Sequence, residues 1–473
     1  MNNPITKIIN MRDSVVLLNP PGSKKYSRDY YCGHVVKSNY YWPQIDILVL
    51  SGICGVEFNI VVIDSIVEGL SCEKALERIL RADPVAIVSL ASGVSWDEDI
   101  DFFRKIKKKA NCPIIITGDY PRGESTGVLR ENPEINAVIL DFTDCEINEF
   151  IKGTKTTDLK NIHVRSDSVR SKITLTEGFS FPIPRHELFP IMKYHYPFAM
   201  YHPFSMIMTD YGCAYGCSYC FYERIGNKKR SLDNFEEELF YLKKLNIKQL
   251  IVHDSSFASN KKHGLEVCRI FKKFDNYFSW ICGMRADDFS EDIIREMSRT
   301  GCMGITIGVE TSNTGLLKSF KKNLDRDIVV KAFALAKKYN IKTLGHFIIG
   351  LEGETVESIN RLIDFSVFLN PDYASFNLAA PVWNTSFREQ LLQSGQFSSE
   401  NMHVDISCNY PVWDNSKISR IQMASLKRKA IRSFYLRPGY ILRQLINVKS
   451  FYQLKSLIRE GIGLIINTWM KNE

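Results

Sequence analysis

Residues Thr209 to Tyr222 read TDYGCAYGCSYCFY, with Cys213, Cys217 and Cys220 spaced C-x3-C-x2-C. Three thiolates in so short a stretch can grip three irons of one [4Fe–4S] cube. A complete structural cluster takes four protein ligands, so one iron is left open to chelate a small molecule. Gly212 and Gly216 let the backbone fold tightly around such a cube, because glycine tolerates positive φ. The apolar run Phe204 to Met208 just before the loop predicts a buried strand, and cofactor loops sit at the C-terminal ends of barrel strands. The competing readings are a zinc site or three unrelated thiols. Zinc takes four ligands, and no second C-x2-C pair follows.

The rest of the composition fits a large reduced protein. The chain has 473 residues, which predicts two to three domains, and twelve cysteines scattered without a disulfide framework. Met1 to Met11 is polar and lacks the apolar core of a secretory signal. A cytoplasmic location is the expectation, and an oxygen-sensitive cluster would need one. No run of 18 apolar residues predicts a membrane-spanning helix. The net charge of +8 is mild for this length; it permits acidic partners and proves none.

Two strand–helix series follow each other. In the first, Val15 to Asn19, Asn59 to Asp64, Val85 to Leu90, Ile114 to Gly118 and Ala137 to Asp141 are apolar strands. They alternate with helical patterns, one of them opened by Pro43 with Ile45, Leu48 and Val49 on one face. That alternation predicts a doubly wound parallel sheet, with ligands at the C-terminal strand ends. Asn19, Ser89 and Gly118 stand at three of those ends. The segment 153–203 is rich in proline and reads as a connector. From Phe204 a second series begins, with six strand–helix units ending at the strand Tyr373 to Asn377 and predicting a partial (β/α)6 barrel. The expected domains are therefore 1–152, 153–203, 204–385 and a helical 386–473.

The cysteine loop and the motifs after it resemble the radical S-adenosylmethionine (SAM) enzymes. The resemblance covers Phe204 to Thr385 with specific motifs. It implies that the open iron binds the amino and carboxylate groups of SAM, and that Tyr219 fills the family's aromatic position between the second and third cysteines. Asp254, in His253-Asp-Ser-Ser-Phe257, would hold the SAM amino group; a helix N-cap is the alternative. Arg285 would meet the SAM carboxylate or a substrate anion, unless it makes a structural salt bridge. Glu310, in TIGVETS, would accept from the ribose, and backbone groups of Ile348 to Gly350 would contact adenine. Two departures stand out. Glu352 replaces the proline of the family's Gly-Leu-Pro-Gly-Glu-Thr, and Pro381-Val-Trp-Asn-Thr385 lacks the glycine of Pro-Gly-Thr.

Over residues 13–150 the layout is similar to a cobalamin-binding domain at fold level only. The family's Asp-x-His-x-x-Gly motif is absent, the only histidine there is His34, and Asp119 stands where a second glycine is expected after Gly118. Bound cobalamin, with Asn19, Ser89 and Gly118 around it and no protein imidazole on cobalt, and a domain that has lost the cofactor both stay open. The tail, Lys417 to Glu473, is basic and aromatic and reads as two or three amphipathic helices broken at Pro438-Gly439. It forms a lid on the barrel or a contact with a membrane surface or lipid substrate. No nucleic-acid motif appears. Cys268, Cys282, Cys302 and Cys408 read as core thiols.

The resemblance thus implies an enzyme with a [4Fe–4S] cluster and SAM, acting on a small-molecule or lipid substrate and fed by a reductant such as flavodoxin or ferredoxin. Methyl transfer is the outcome if cobalamin is bound; carbon–carbon coupling, rearrangement or oxidation is the outcome without it. An iron–sulfur redox protein with no substrate, and a binding module with a structural cluster, are the alternatives from other classes.

Overall fold

The computed structural model describes residues 13–31, 33–154, 159–165, 177–398, 404–405, 411–446, 448, 454, 457–459 and 461–463. Cys408 lies outside the described residues. The N-terminal sheet contains Ser14–Asn19, Asn59–Asp64, Ala86–Leu90, Ile114–Thr117, Ala137–Ile139 and Ile162–Val164. In chain order the strands run 2-1-3-4-5-6 across the sheet. The first five are parallel, and each central one is buried on both faces, which is why they are continuous apolar runs.

Two expectations change here. The sixth strand falls inside the segment read as a connector and pairs antiparallel with the fifth. Arg165 then ties the strand's end to carbonyls of Asn132 and Ile135, each at 3.0 Å, so the domain extends past residue 152. The helix Ile45–Cys54 is also buried on every side rather than on one face. Its outer side is covered by the connector: a Cβ on Gly52 would sit 2.2 Å from the Pro182 carbonyl oxygen.

The second sheet has Phe204–Ile207, Gln249–Val252, Ser279–Met284, Cys302–Glu310, Lys342–Ile349 and Tyr373–Leu378, all parallel and side by side in chain order. Among the described residues the first and sixth strands do not pair, so the barrel is partial. The helix Arg420–Tyr435 packs along the sixth strand and along Val356–Leu369. Its Tyr435 hydroxyl accepts from the Ala374 N–H at 3.0 Å and donates to the Ala374 carbonyl at 2.7 Å, docking the helix on the strand. Pro438–Ile446 is a second helix, so the break lies where the sequence puts it. Among the described residues no helix is long and apolar enough to cross a membrane.

The two sheets share core. Tyr30 of the N-terminal domain stacks on Tyr211 with ring centroids 5.9 Å apart. Its hydroxyl lies 2.9 Å from that of Tyr222, two residues beyond the last cysteine. The C-terminal edge of the first sheet thereby faces the cysteine loop.

Candidate active site

The cysteine loop leaves the first barrel strand through a forced turn. Gly212 has φ +79°, and a Cβ there would lie 1.9 Å from the Gly226 carbonyl oxygen, so glycine is required. Gly216 has open space around it and no such demand. The Cys213 N–H donates to Gly226 at 2.7 Å, and the Ser255 hydroxyl donates to the Gly212 carbonyl at 2.5 Å, fixing the loop's base.

Cys213, Cys217 and Cys220 all open on one cavity of about 980 Å³ between the two sheets. Burial pushes the Cys213 and Cys220 thiols upward from their ordinary range. Arg285 places a guanidinium nitrogen 3.2 Å from Cys217 Sγ. These are groups that gain by giving up protons to a metal, since the thiolate is the ligand. Among the described residues no three His, Cys, Asp or Glu side chains converge on a single ion position. Thiols that bind separate corners of a cube need not converge, whereas zinc ligands must. The donor set fits the cluster.

The other expected residues separate into two groups. Tyr219, Asp254, Arg285, Glu310 and Ile348 line the same cavity as the cysteines. Asp254 is also a brace: its oxygens accept from Thr209 N and Oγ1 at 2.7 and 2.5 Å and from Asp210 N at 3.1 Å. Arg285 forms a two-pronged pair with Asp287 and lies over the Tyr215 ring. Glu310 sits at a bulge with φ +62°, an uncommon conformation for a non-glycine residue, and accepts from Lys322 Nζ at 2.6 Å.

Gly350, Asn19, Ser89 and Gly118 do not reach the cavity. Gly350 turns at φ +90° against Met423, and its N–H is already bonded to Glu354 at 2.8 Å. Asn19, Ser89 and Gly118 do share one sheet edge, but residues 20–31 and 33–42 cover it. Asn19 is bonded to Tyr41, Asp64 and Arg28. Arg28 is wholly buried in an ion pair with Asp99 at 2.7 Å. A Cβ on Gly118 would meet the Ala91 carbonyl oxygen at 1.8 Å. Asp119 accepts from the N–H groups of Gly33 and Gly93 at 2.7 and 3.2 Å, which closes the edge. What this domain turns toward the cavity is Tyr31, His34, Lys37, Ser38, Tyr40 and Trp42.

Several residues had no sequence signal. Lys37 crosses to the sixth barrel strand and donates to Ser375 Oγ at 3.2 Å, the Phe376 carbonyl at 3.3 Å, and Asn377 Oδ1. Asn377 Nδ2 in turn lies 3.4 Å from His346 Nδ1. Burial pushes His346 down to about 4, so it is neutral near pH 7. Glu354 is fully buried and links two strand ends, accepting from Thr311 Oγ1 at 2.7 Å and from the N–H groups of Gly350 and Leu351. Only the Gly-Glu-Thr pattern, read for its turn, pointed near it.

Burial pushes Glu354 up to about 7 from its ordinary 4.5, outweighing three donors that favour the carboxylate. The folded protein therefore disfavours the charged form. The contribution of this group to stability is full below about pH 4.5, falls as pH rises through the window to about 7, then levels off. Glu354→Gln keeps an acceptor and removes the titration. It should match the parent near pH 4.5 and exceed it by about 3 kcal/mol at pH 8, read from urea unfolding of the cluster-free chain. Equal pH profiles for the two proteins would reject the assignment.

Known proteins resemble this chain over the sheet that carries the site. The sequence profile of the Radical SAM superfamily matches residues 207–366. An uncharacterized methyltransferase of Pyrococcus horikoshii is 28% identical over 433 residues, covering 88% of this chain and 93% of that one. Cytidylyl-2-hydroxyethylphosphonate methyltransferase of Streptomyces wedmorensis is 22% identical, covering 51% of this chain and 49% of its own length. Among solved structures, the radical SAM methyltransferase TsrM of Kitasatospora setae, with cobalamin and a [4Fe–4S] cluster bound, superposes with a TM-score of 0.62 at 16% identity, over 80% of this chain and 75% of that one. The cobalamin-dependent SAM radical enzyme OxsB, with aqua-cobalamin and SAM bound, gives 0.69 at 14% identity, over 97% and 72%. Residues 207–366 are thus matched as a radical SAM domain, and the chain as a whole shares the fold of TsrM and OxsB.

Proposed function

We propose that this enzyme transfers a methyl group to an unactivated carbon of a small molecule held in the cavity between its two sheets. The observation that carries the reading is the shared cavity: the three cysteines, the SAM-side residues and a wall of the N-terminal domain all open on it. Cys213, Cys217 and Cys220 would hold a [4Fe–4S] cluster, which would supply the electron for reductive cleavage of SAM, and cobalamin, when bound, would supply the methyl group. Tyr40 stacked on Trp42, and Tyr31 stacked on Tyr222 beside the cysteine loop, would offer a corrin aromatic faces, and among the described residues His34 is the one imidazole the N-terminal domain brings to the cavity. Asn19, Ser89 and Gly118 have no part in that wall.

The remaining work is done by the chain's own side chains. Arg285 puts positive charge beside Cys217, where added electron density is stabilised. Glu310 and Asp254 present carboxylates for the hydroxyl and amino groups of SAM, and Lys322 holds Glu310 in place. The C-terminal helices and the aromatic wall keep water from the reacting carbon. A low-potential reductant such as flavodoxin or ferredoxin would feed the cluster.

The test is anaerobic reconstitution with iron, sulfide and SAM under dithionite, with and without hydroxocobalamin. 5′-Deoxyadenosine is expected in both samples, and S-adenosylhomocysteine only with cobalamin. 5′-Deoxyadenosine without S-adenosylhomocysteine in both would move the reading to coupling, rearrangement or oxidation. A full cluster with no SAM consumed would end it.

A further inference from the structure

The fifth and sixth barrel strands turn alternate residues into the cavity. Leu344, His346 and Ile348 face it from one, and Tyr373, Ser375 and Asn377 from the other, while the residues between them are buried. His346 pairs in register with Ser375. It stands two residues before Ile348, about 7 Å deeper in the barrel than that SAM-side position.

Hydrogen-bond polarity fixes the state of this imidazole. Lys37 Nζ carries only donors, so the Asn377 atom it meets is the oxygen. The Asn377 NH2 then faces His346 Nδ1 at 3.4 Å, and it too can only donate. A proton on Nδ1 would oppose it, so Nδ1 accepts and the ring proton sits on Nε2. Burial drives the ring down to about 4; Glu310 opposes this, Lys37 and Lys322 add to it, and the ring is neutral near pH 7. Among the described residues no hydrogen bond occupies Nε2, and the imidazole lines the cavity. The result is a neutral N–H donor on the cavity wall, with its tautomer set from behind by a lysine of the other domain.

The surroundings decide what such a donor can hold. Leu344 adjoins it on the same strand, and Phe198 packs edge-on against Tyr373 with ring centroids 5.1 Å apart. Phe198 also fills the space over Gly304, where a Cβ would meet its ring at 2.0 Å, so the cavity has an apolar floor. The nearby ammonium groups are engaged, Lys322 by Glu310 and the Gly308 carbonyl, and Lys37 by the sixth strand. A neutral donor here satisfies an uncharged carbonyl in full, whereas it leaves the charge of a carboxylate uncompensated. Resting on the reading of this cavity as the substrate site, we propose that His346 is a specificity-determining residue, and that the substrate carries an uncharged carbonyl oxygen, as in a ketone, ester or amide, which accepts from its Nε2–H. Asn377 and Lys37 are positioning residues that act through the imidazole. A molecule without the acceptor is rejected, because the N–H would be left unpaired.

The test uses the full chain reconstituted with its cluster, kept oxidised for spectroscopy. Ring ¹⁵N spectra of histidine-labelled protein, assigned with His346→Gln, should show Nε2 protonated and Nδ1 bare near neutral pH. In Asn377→Asp, whose oxygens only accept, Nδ1 should carry a proton. The probes are acetophenone, benzoate and α-methylstyrene, which has CH2 in place of the carbonyl oxygen. His346→Leu should weaken acetophenone binding about five- to tenfold and leave α-methylstyrene within about twofold. His346→Gln, which keeps an N–H donor, should retain most of the acetophenone affinity. Benzoate should bind the parent more weakly than acetophenone. A protonated Nδ1 in the parent, equal losses for the two uncharged probes, or benzoate as the tightest ligand would overturn the proposal. Uncoupled SAM cleavage is read on the same samples. Cleavage by the parent without carbonyl selectivity rejects the substrate class alone, whereas a parent chain that cleaves no SAM rejects the reading beneath it.

Discussion

Replacing Cys213, Cys217 or Cys220 singly by Ala is expected to remove most of the iron and sulfide that the anaerobically reconstituted chain binds. Two thiolates hold a cube on one edge, leaving it free to rotate and exposed to loss. The remaining thiols, raised by burial, then return to their protonated form. Cys268→Ala and Cys302→Ala are the controls. Cys268 lies on the helix Lys261–Lys272, and Cys302 opens the fourth barrel strand at the end away from the cysteine loop. Iron content and the cluster's visible absorbance should be unchanged in both. If the protein lacking all three loop cysteines still held four irons per chain, the cluster assignment would be wrong.

Arg28→Ala is expected to be the most damaging single change in the N-terminal domain, lowering stability by about 3–5 kcal/mol. The guanidinium is wholly buried, pairs with Asp99, and donates to Asn19, Pro20 and Pro21. Removing it leaves three buried acceptors without that donor and the buried Asp99 carboxylate without its counter-charge, with only Ser95 Oγ and the Ser92 N–H still donating to it. Asp99→Ala should cost a similar amount for the mirror reason. The double change Arg28→Met, Asp99→Leu should cost less than either single one, since no unpaired charge remains. Urea unfolding of the four proteins closes the cycle. A loss below about 1 kcal/mol for Arg28→Ala would show that the cover over Asn19 and Gly118 is held by packing of Tyr30 and Tyr41 rather than by this pair.

Much of the architecture was written locally. The C-x3-C-x2-C spacing places three thiols on one short loop whatever the rest of the chain does. The strands Lys342–Ile349 and Tyr373–Leu378 are legible because apolar runs and turn residues mark them without reference to distant partners. The helix break at Pro438 follows from ring geometry alone. Elements that depended on a partner were not legible in this way. Ile162–Val164 is three residues around a histidine, and only its pairing with Ala137–Ile139 makes it a strand. Ile45–Cys54 reads as amphipathic until the connector covers its outer side.

The site shows the same division. Tyr219, Asp254, Arg285, Glu310 and Ile348 lie at or just beyond strand ends that the sequence marks, and they line the cavity. Asn19, Ser89 and Gly118 also follow marked strand ends, yet they are sealed by Arg28, Tyr41 and Asp119. Lys37 and Glu354 look like ordinary polar loop residues. One gains its place by reaching a strand more than 330 positions away, the other by tying Thr311 to the turn at Gly350. Local spacing determines which elements form and where their ends carry chemistry. Which of those ends stay open is decided only when distant segments pack, because burial and pairing depend on neighbours that periodicity cannot name.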